Sequence, residues 1–308
     1  MVGVHAEDYF SDRSIEDADI LYRGAEVLAA DFWERHGKNM RSWKEGNKTF
    51  YEISGPSITQ WQTNQFVYED RDGGIEAMVR RVSGNTALLE LVRDFRADRH
   101  GVWGISARNR EQNFALNLLL DPEIDFVTIL GPAGTGKTLL TLAAGLLQTL
   151  EHNRYAEIIM TRVTIPLGED IGFLPGTLEE KMKPWLQPYH DALEVLIPSK
   201  PAKEPQFAAK KVSKKFKKRD DPLSAPMNTA QGGHHGGHGH GSAAVVKPYE
   251  RLLKSGLVEI EALAFIRGRS IARRFFILDE AQQLTPHEVK TVITRISEGS
   301  KIILIGDP

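Results

Sequence analysis

The sequence predicts an α/β chain in which a small β-rich module precedes a three-layer α/β/α core built around a mainly parallel sheet. Three observations carry that expectation. Short β-prone runs separated by turn residues fill the chain up to about residue 105. The apolar run Phe126 to Leu130 leads through a glycine-rich loop into the apolar stretch Leu139 to Leu150. Farther on, Phe275 to Leu278 and Lys301 to Ile305 read as strands buried on both faces, as parallel sheets covered by helices require.

Composition sets the bounds. A length of 308 residues suits about two domains, and the β-prone runs give way to a helical pattern near residue 105, dividing the chain into 1–104 and 105–308. Hydrophobic residues make up 41% of the chain and the mean hydropathy is −0.32, as expected of a soluble globular protein. A net charge of −2 leaves no global basic field, so any nucleic-acid surface is a local patch. There is no cysteine, which excludes disulfides and thiolate metal sites and fits the reducing cytoplasm. Met1 to Phe10 carries Glu7 and Asp8 and no apolar core, and no apolar stretch is long enough to span a bilayer, so neither a signal peptide nor a membrane span is expected.

In the first module the β-prone runs are Ile20 to Tyr22, Thr49 to Ile53, Gln65 to Tyr68, Ala77 to Val82 and Ala87 to Leu91. Gly55-Pro56, Asp72-Gly73-Gly74 and Gly84-Asn85 punctuate them, and the last leaves the short gap of a hairpin. The aromatics Phe32, Trp33, Trp43, Trp61 and Trp103 offer faces for stacking on bases, but in a small domain such residues are core first. A helix then runs from Arg108-Asn109-Arg110-Glu111-Gln112 through Phe114, Leu116 and Leu118 to Leu120, stopping at Asp121-Pro122. The Gln112 amide offers one donor and one acceptor, matching the N6 and N7 edge of adenine; an exposed glutamine at a helix start is the plainer reading.

Gly131-Pro132-Ala133-Gly134-Thr135-Gly136-Lys137-Thr138, followed by Leu139, is the stretch around which the core is organised. Its place between strand and helix matters, because a phosphate chain lies on a helix N-terminus only if the backbone curls around it with N–H groups inward, and glycine permits that curl. Lys137 then reaches the β- and γ-phosphates, and the Thr138 hydroxyl is placed to ligand Mg2+. This is a P-loop, with ATP and Mg2+ as the expected ligands.

A second strand, Glu157 to Met160, leads to Thr161-Arg162 and a loop from Ile165 to Gly176 shaped by Gly and Pro. Arg162 stands at the C-terminal end of that strand, where open α/β sheets place ligand contacts. Glu179 to Leu196 reads as helix divided into short pieces by Pro184 and Pro188. Residues 198–245 are a low-complexity insertion: lysines crowd Lys200 to Arg219, and His234, His235, His238 and His240 follow. Solvated disorder accounts for both features, with RNA phosphates on the lysines and a metal on the histidines as the alternatives. Tyr249 to Leu253 and Leu257 to Phe265 resume the structured pattern. The strand Phe275 to Leu278 ends in Asp279-Glu280-Ala281-Gln282, a Walker B pattern in which Asp279 holds the metal and Glu280 orients the attacking water. Thr285-Pro286-His287-Glu288 caps the next helix.

These residues together resemble the PhoH-like family of P-loop ATPases, relatives of superfamily 1 helicase cores with a RecA-like fold. The resemblance covers about Trp103 to Pro308 and is carried by GPAGTGKTLL (131–140), GEDIGFLPGTLEEKMKPW (168–185), FIRGRS (265–270), ILDEAQQLTPHEVKTVITR (277–295) and GDP (306–308). It implies that Gln112 reads adenine within Arg110-Glu111-Gln112. The first module is similar to the segment that joins a PIN ribonuclease domain to the ATPase core, though the acidic nuclease cluster is not evident. Val163 in place of the family's proline, the Lys/His insertion and the stop at Pro308, before an expected glutamine, depart from the pattern.

The resemblance further implies ATP hydrolysis coupled to RNA unwinding or processing, and a homo-oligomeric ring, with a hexamer as one size such a ring takes. An ATP-gated RNA-binding or assembly protein without processive unwinding is the competing class, and a small-molecule phosphotransferase ranks last because it has no need of Glu280. From the four strands counted so far, the sheet is expected to lack at least one, so the chain is expected to be a fragment. Ile302 to Ile305 would then form an exposed apolar edge, with weak turnover and poor solubility, and Arg295 is the nearby arginine available as a finger.

Overall fold

The computed structural model describes residues 24–97, 101–162, 178–197, 247–263 and 270–308. The first module is a six-stranded sheet formed by β1 (Ala25–Val27), β2 (Arg41–Glu45), β3 (Lys48–Ser54), β4 (Phe66–Tyr68), β5 (Glu76–Ser83) and β6 (Thr86–Leu91), in the order β1-β4-β5-β6-β3-β2, with the short helix α1 (Phe32–His36) between β1 and β2. Four of the β-prone runs fall on β3 to β6; Ile20 to Tyr22 lies outside the described residues. Alternation does its work here. Ile53, Val67, Ala77, Val79, Ala87 and Leu89 turn to one side and close a core with Phe32 and Trp61, while Phe66 and Met78 turn to the other. Core is therefore the right reading for Phe32 and Trp61. Trp33 and Trp103 are half-buried, packed against cores of buried residues, but Trp43 is 40% exposed and stacks on Phe50 with ring centroids 5.7 Å apart.

The second sheet follows α2 (Arg110–Leu120). It is built from β7 (Phe126–Leu130), α3 (Lys137–Leu146), β8 (Glu157–Arg162), α4 (Leu178–Leu196), α5 (Pro248–Lys254), β9 (Val258–Ala262), β10 (Arg274–Asp279), α6 (Pro286–Ile293) and β11 (Lys301–Gly306). The strand order is β7-β11-β10-β8-β9, and every pairing is parallel. Successive side chains serve opposite layers. Phe275, Ile277, Ile158, Met160 and Ile303 meet α2, α3 and α4 on one face, while Phe276, Leu278, Ile159 and Leu304 meet Val289 and Val292 of α6 on the other. Gly145 lets α3 lie close to the sheet, since a Cβ there would come within 2.9 Å of the Phe275 ring.

Two expectations are corrected. Ile302 to Ile305 are not an edge: β11 inserts between β7 and β10, and all six of its residues are buried. Among the described residues the edge strands are β7 and β9, and β7 leaves Phe126 47% and Leu130 56% exposed. Nor do Pro184 and Pro188 divide their helix, for α4 runs unbroken over 19 residues. Tyr189, Leu193 and Leu196 bury one stripe of α4 against the core, and burial of that stripe outweighs the hydrogen bonds two prolines remove.

The β-rich module grips α2. Phe66 stacks on Phe114 at 4.2 Å between ring centroids, and Arg110 donates to Glu76 at 3.1 Å. The Asn113 and Asn117 side chains accept from the backbone of Phe95 and Arg93 at 2.8 and 2.9 Å, and Arg80 pairs with Asp121 at the helix's far end. Lys301, fully buried, donates to the carbonyls of Leu118, Leu119 and Asp121 and so caps the C-terminus of α2 from β11. Helix α2 is thus fixed at both ends, and its first turn faces the site.

Candidate nucleotide site

Parallel strands gather their C-terminal ends on one rim, and here the rim collects the P-loop after β7, Arg162 at the end of β8, Asp279 and Glu280 at the end of β10, and Asp307 just past β11. The loop is held in its curl from within. Gly134 and Gly136 take φ of +79° and +85°, Thr135 Oγ1 donates to the Pro132 carbonyl at 2.8 Å, and the Gly131 N–H donates to the Gly306 carbonyl at 3.3 Å. A side chain at Gly134 or Gly136 would be strained in that backbone region. Pro132 and Ala133 are exposed, and Leu139 is half-buried on α3 against the core.

Gln112 touches this loop directly. Its backbone N–H bonds the Asn109 N-cap at 2.9 Å, its Oε1 accepts from Arg108 N at 2.7 Å, and its Nε2 donates to the Thr135 carbonyl at 3.0 Å. One proton and one lone pair of the amide remain beyond these contacts, enough for a two-point match to a base edge.

The two motifs, separated by 141 positions, meet where Thr138 Oγ1 donates to Asp279 Oδ2 at 3.4 Å. A hydroxyl and a carboxylate are hard oxygen donors, as Mg2+ prefers, and a pair leaving most of the coordination shell to water and phosphate oxygens is its usual protein share. Burial raises the Asp279 carboxyl above its ordinary value, and the neighbouring Glu280 charge adds to this, while the Glu280 N–H, Arg162 and Tyr189 act the other way. Tyr189 of α4 is buried under this point, its hydroxyl donating to the Thr161 carbonyl at 3.3 Å. Burial and then the charge of Asp279 raise its phenol well above the ordinary range.

Both candidate catalytic side chains are held in ion pairs. Lys137 Nζ donates to Asp307 Oδ1 at 2.7 Å and to the Gly131 and Pro132 carbonyls at 2.5 and 2.9 Å, which uses its three protons. Glu280, in left-handed backbone with φ of +58°, accepts from Arg162 Nη2 at 2.7 Å and from Gln282 Nε2 at 2.8 Å. Arg295 stands apart from all of this: its carbonyl accepts from Ile271 N, ahead of β10 and at the opposite end of that strand from Asp279. The Lys/His insertion and the whole loop after Arg162, including Ile165 to Gly176, lie outside the described residues, as do the readings made of them.

Asp307, Gln282 and Tyr189 are the members of the site that motif reading passed over. Asp307 had a signal available: a carboxylate directly after a buried strand stands on the same rim as Asp279.

The family model described as PhoH-like protein matches residues 104–308. The chain belongs to the PhoH-like family. It is 40% identical over 314 residues to Protein PhoH2 of Bacillus subtilis (strain 168), an alignment covering 100% of this chain and 58% of the relative. With Protein PhoH2 of Thermobispora bispora it shares 34% identity over 225 residues, 73% of this chain and 41% of that one. With the PhoH-like protein of Bacillus subtilis (strain 168) it shares 34% over 183 residues, 59% and 42% respectively. The chain thus spans between 41% and 58% of the length of these relatives. PhoH-like proteins are ATP-binding P-loop proteins, and the strand, loop and helix that make that motif are those described above. Among the described residues, no helix is long and apolar enough to cross a membrane.

Proposed function

We propose that this PhoH-like chain hydrolyses ATP with Mg2+ and couples the reaction to RNA. The observation that carries the reading is the meeting of Thr138 with Asp279 at 3.4 Å, with Lys137 and Glu280 adjacent to them in sequence on the same rim. The N–H groups at the start of α3 and the Lys137 ammonium would bind the phosphate chain, and Gln112 would select adenine. Thr138 and Asp279 would hold Mg2+, which when bound neutralises charge on the β- and γ-phosphate oxygens. Glu280 would orient the attacking water, a role open to a carboxylate at the end of the strand beside the P-loop strand's neighbour. Binding of the phosphates requires Lys137 to give up at least one of its three partners, Asp307 or the Gly131 and Pro132 carbonyls, since all three of its protons are in use.

RNA coupling, self-assembly into a ring and a cytoplasmic location are expectations from the family likeness and belong to this proposal. A second reading is favoured by the two ion pairs, Lys137 with Asp307 and Arg162 with Glu280. An ATP-gated RNA-binding protein, whose switch is nucleotide occupancy rather than turnover, would also keep both charges held at rest. ATP turnover measured without RNA, with single-stranded RNA and with duplex RNA separates the two. Turnover that rises with RNA supports the motor; RNA affinity that changes with ATP while turnover stays absent supports the gate.

A further inference from the structure

Glu280 is tethered from two directions. The sheet order β7-β11-β10-β8 puts β11 and the P-loop strand on one side of β10 and β8 on the other. Lys137, bound to Asp307 past β11 and to the Gly131 carbonyl, marks the side on which a terminal phosphate would lie. Arg162 is on β8, in register with Asp279, so its 2.7 Å bond draws the Glu280 carboxylate away from that side. Gln282 pulls the other way: it donates to the second Glu280 oxygen at 2.8 Å and packs so closely on Gly306 of β11 that a Cβ there would come within 3.0 Å of its Oε1.

We propose that Arg162 is a positioning residue that latches Glu280 on the β8 side of the site, and that a phosphate of a bound nucleic-acid strand opens the latch by taking the guanidinium. The inference rests on the ATPase reading above. A guanidinium fork fits carboxylate and phosphate alike, and a backbone phosphodiester, with one negative charge and two non-bridging oxygens, offers it the same two-point match as the Glu280 carboxylate. Arg162 and Glu280 are about a quarter exposed, 25% and 24%, so an oxyanion arriving from solvent can reach the pair. The phosphates of a nucleotide bound on the P-loop would lie across β10 from Arg162, which points to a second molecule as the source of the phosphate that takes the guanidinium. Once Arg162 lets go, the Gln282 tether carries the carboxylate toward β11 and the terminal phosphate.

The test is ATP turnover of the wild type, Arg162→Ala, Arg162→Lys and the double variant Arg162→Ala with Glu280→Gln, each with ATP alone, with single-stranded polyuridylate and with polyglutamate. A latch with a coupling of ordinary size makes Arg162→Ala faster than wild type in ATP alone by about fivefold or more. The double variant loses that gain, and ATP affinity, read with a fluorescent nucleotide, stays within about twofold, less than a coupling of that size would move it. Polyuridylate accelerates the wild type but not Arg162→Ala, and Arg162→Lys, which keeps charge without the fork, falls between. A merely structural role would lower turnover in every Arg162 variant. Wild-type turnover that Lys137→Ala abolishes, combined with unchanged or lower turnover in Arg162→Ala, overturns the latch and leaves the ATPase standing. Acceleration of the wild type by polyglutamate equal to that by polyuridylate overturns the phosphate as key. Absence of turnover in the wild type and in Arg162→Ala alike refutes both readings.

Discussion

Lys301 makes the stability of this fold depend on pH in a direction that can be worked out. Its ammonium is fully buried and donates to three carbonyls at the end of α2, at 2.8, 2.9 and 2.8 Å. Burial lowers it from the ordinary 10.5 to about 7, against the pull of Asp121. The unfolded chain keeps this proton until about pH 10.5 and the folded chain releases it near 7, so between those values the unfolded state binds more protons and stability rises with pH. It is lost again as pH falls toward 7. At 1.36 kcal/mol per unit the whole shift corresponds to about 5 kcal/mol, an upper bound, because three carbonyls suit the three protons of the ammonium better than the two of the amine. Tyr155 and Tyr189, raised by burial, titrate above this window, and His190, lowered by burial, below it. Urea unfolding should therefore show the wild type gaining about 2 kcal/mol between pH 7.5 and 9.5, with Lys301→Met losing most of that slope. A wild type as flat as Lys301→Met would mean that the carbonyl cage keeps the ammonium charged and that the reasoning from burial is wrong.

Other perturbations follow from single contacts. Asp307→Asn releases Lys137 from its 2.7 Å ion pair and should tighten ATP binding about two- to fivefold, the scale of a partly exposed pair; weaker binding in a fluorescent-nucleotide titration would show that Asp307 serves the bound state instead. Phe114→Ala removes a buried ring stacked 4.2 Å from Phe66 and should cost about 3 to 5 kcal/mol in urea unfolding; a loss under 1 kcal/mol would mean that α2 does not need the module's grip. Gly145→Val forces a Cβ to within 2.9 Å of Phe275, and overpacking of about 1 to 3 kcal/mol should appear as a lowered thermal midpoint; an unchanged midpoint would show that α3 shifts freely.

What could be read from the sequence followed physical reach. Phe275 to Leu278 and Lys301 to Ile305 announced buried parallel strands because both faces had to be apolar, and the P-loop announced itself because its glycines, lysine and threonine are contiguous. Strand β2, Arg41-Ser42-Trp43-Lys44-Glu45, has no buried residue and so no alternation to find. The two prolines of α4 misled because local propensity carries no information on the packing of Tyr189 and Leu193. The ion pairs were hidden for a different reason: Arg162 with Glu280 spans 118 positions and Lys137 with Asp307 spans 170. Only the strand order brings them together, and the same order makes β11 an interior strand, with β7 and β9 at the edges. Gln112 was recognised as a candidate reader, but its contact with the Thr135 carbonyl depends on α2 being pinned from both ends.

The central claim, hydrolysis of ATP by a site in which Lys137 binds phosphate and Glu280 directs water, is tested most directly by paired binding and turnover measurements on Glu280→Gln. The account predicts ATP affinity within about threefold of wild type and hydrolysis slower by at least about a hundredfold, since orientation of the water is lost while Thr138 and Asp279 remain. Turnover equal to wild type, or affinity lost in proportion to turnover, would contradict it.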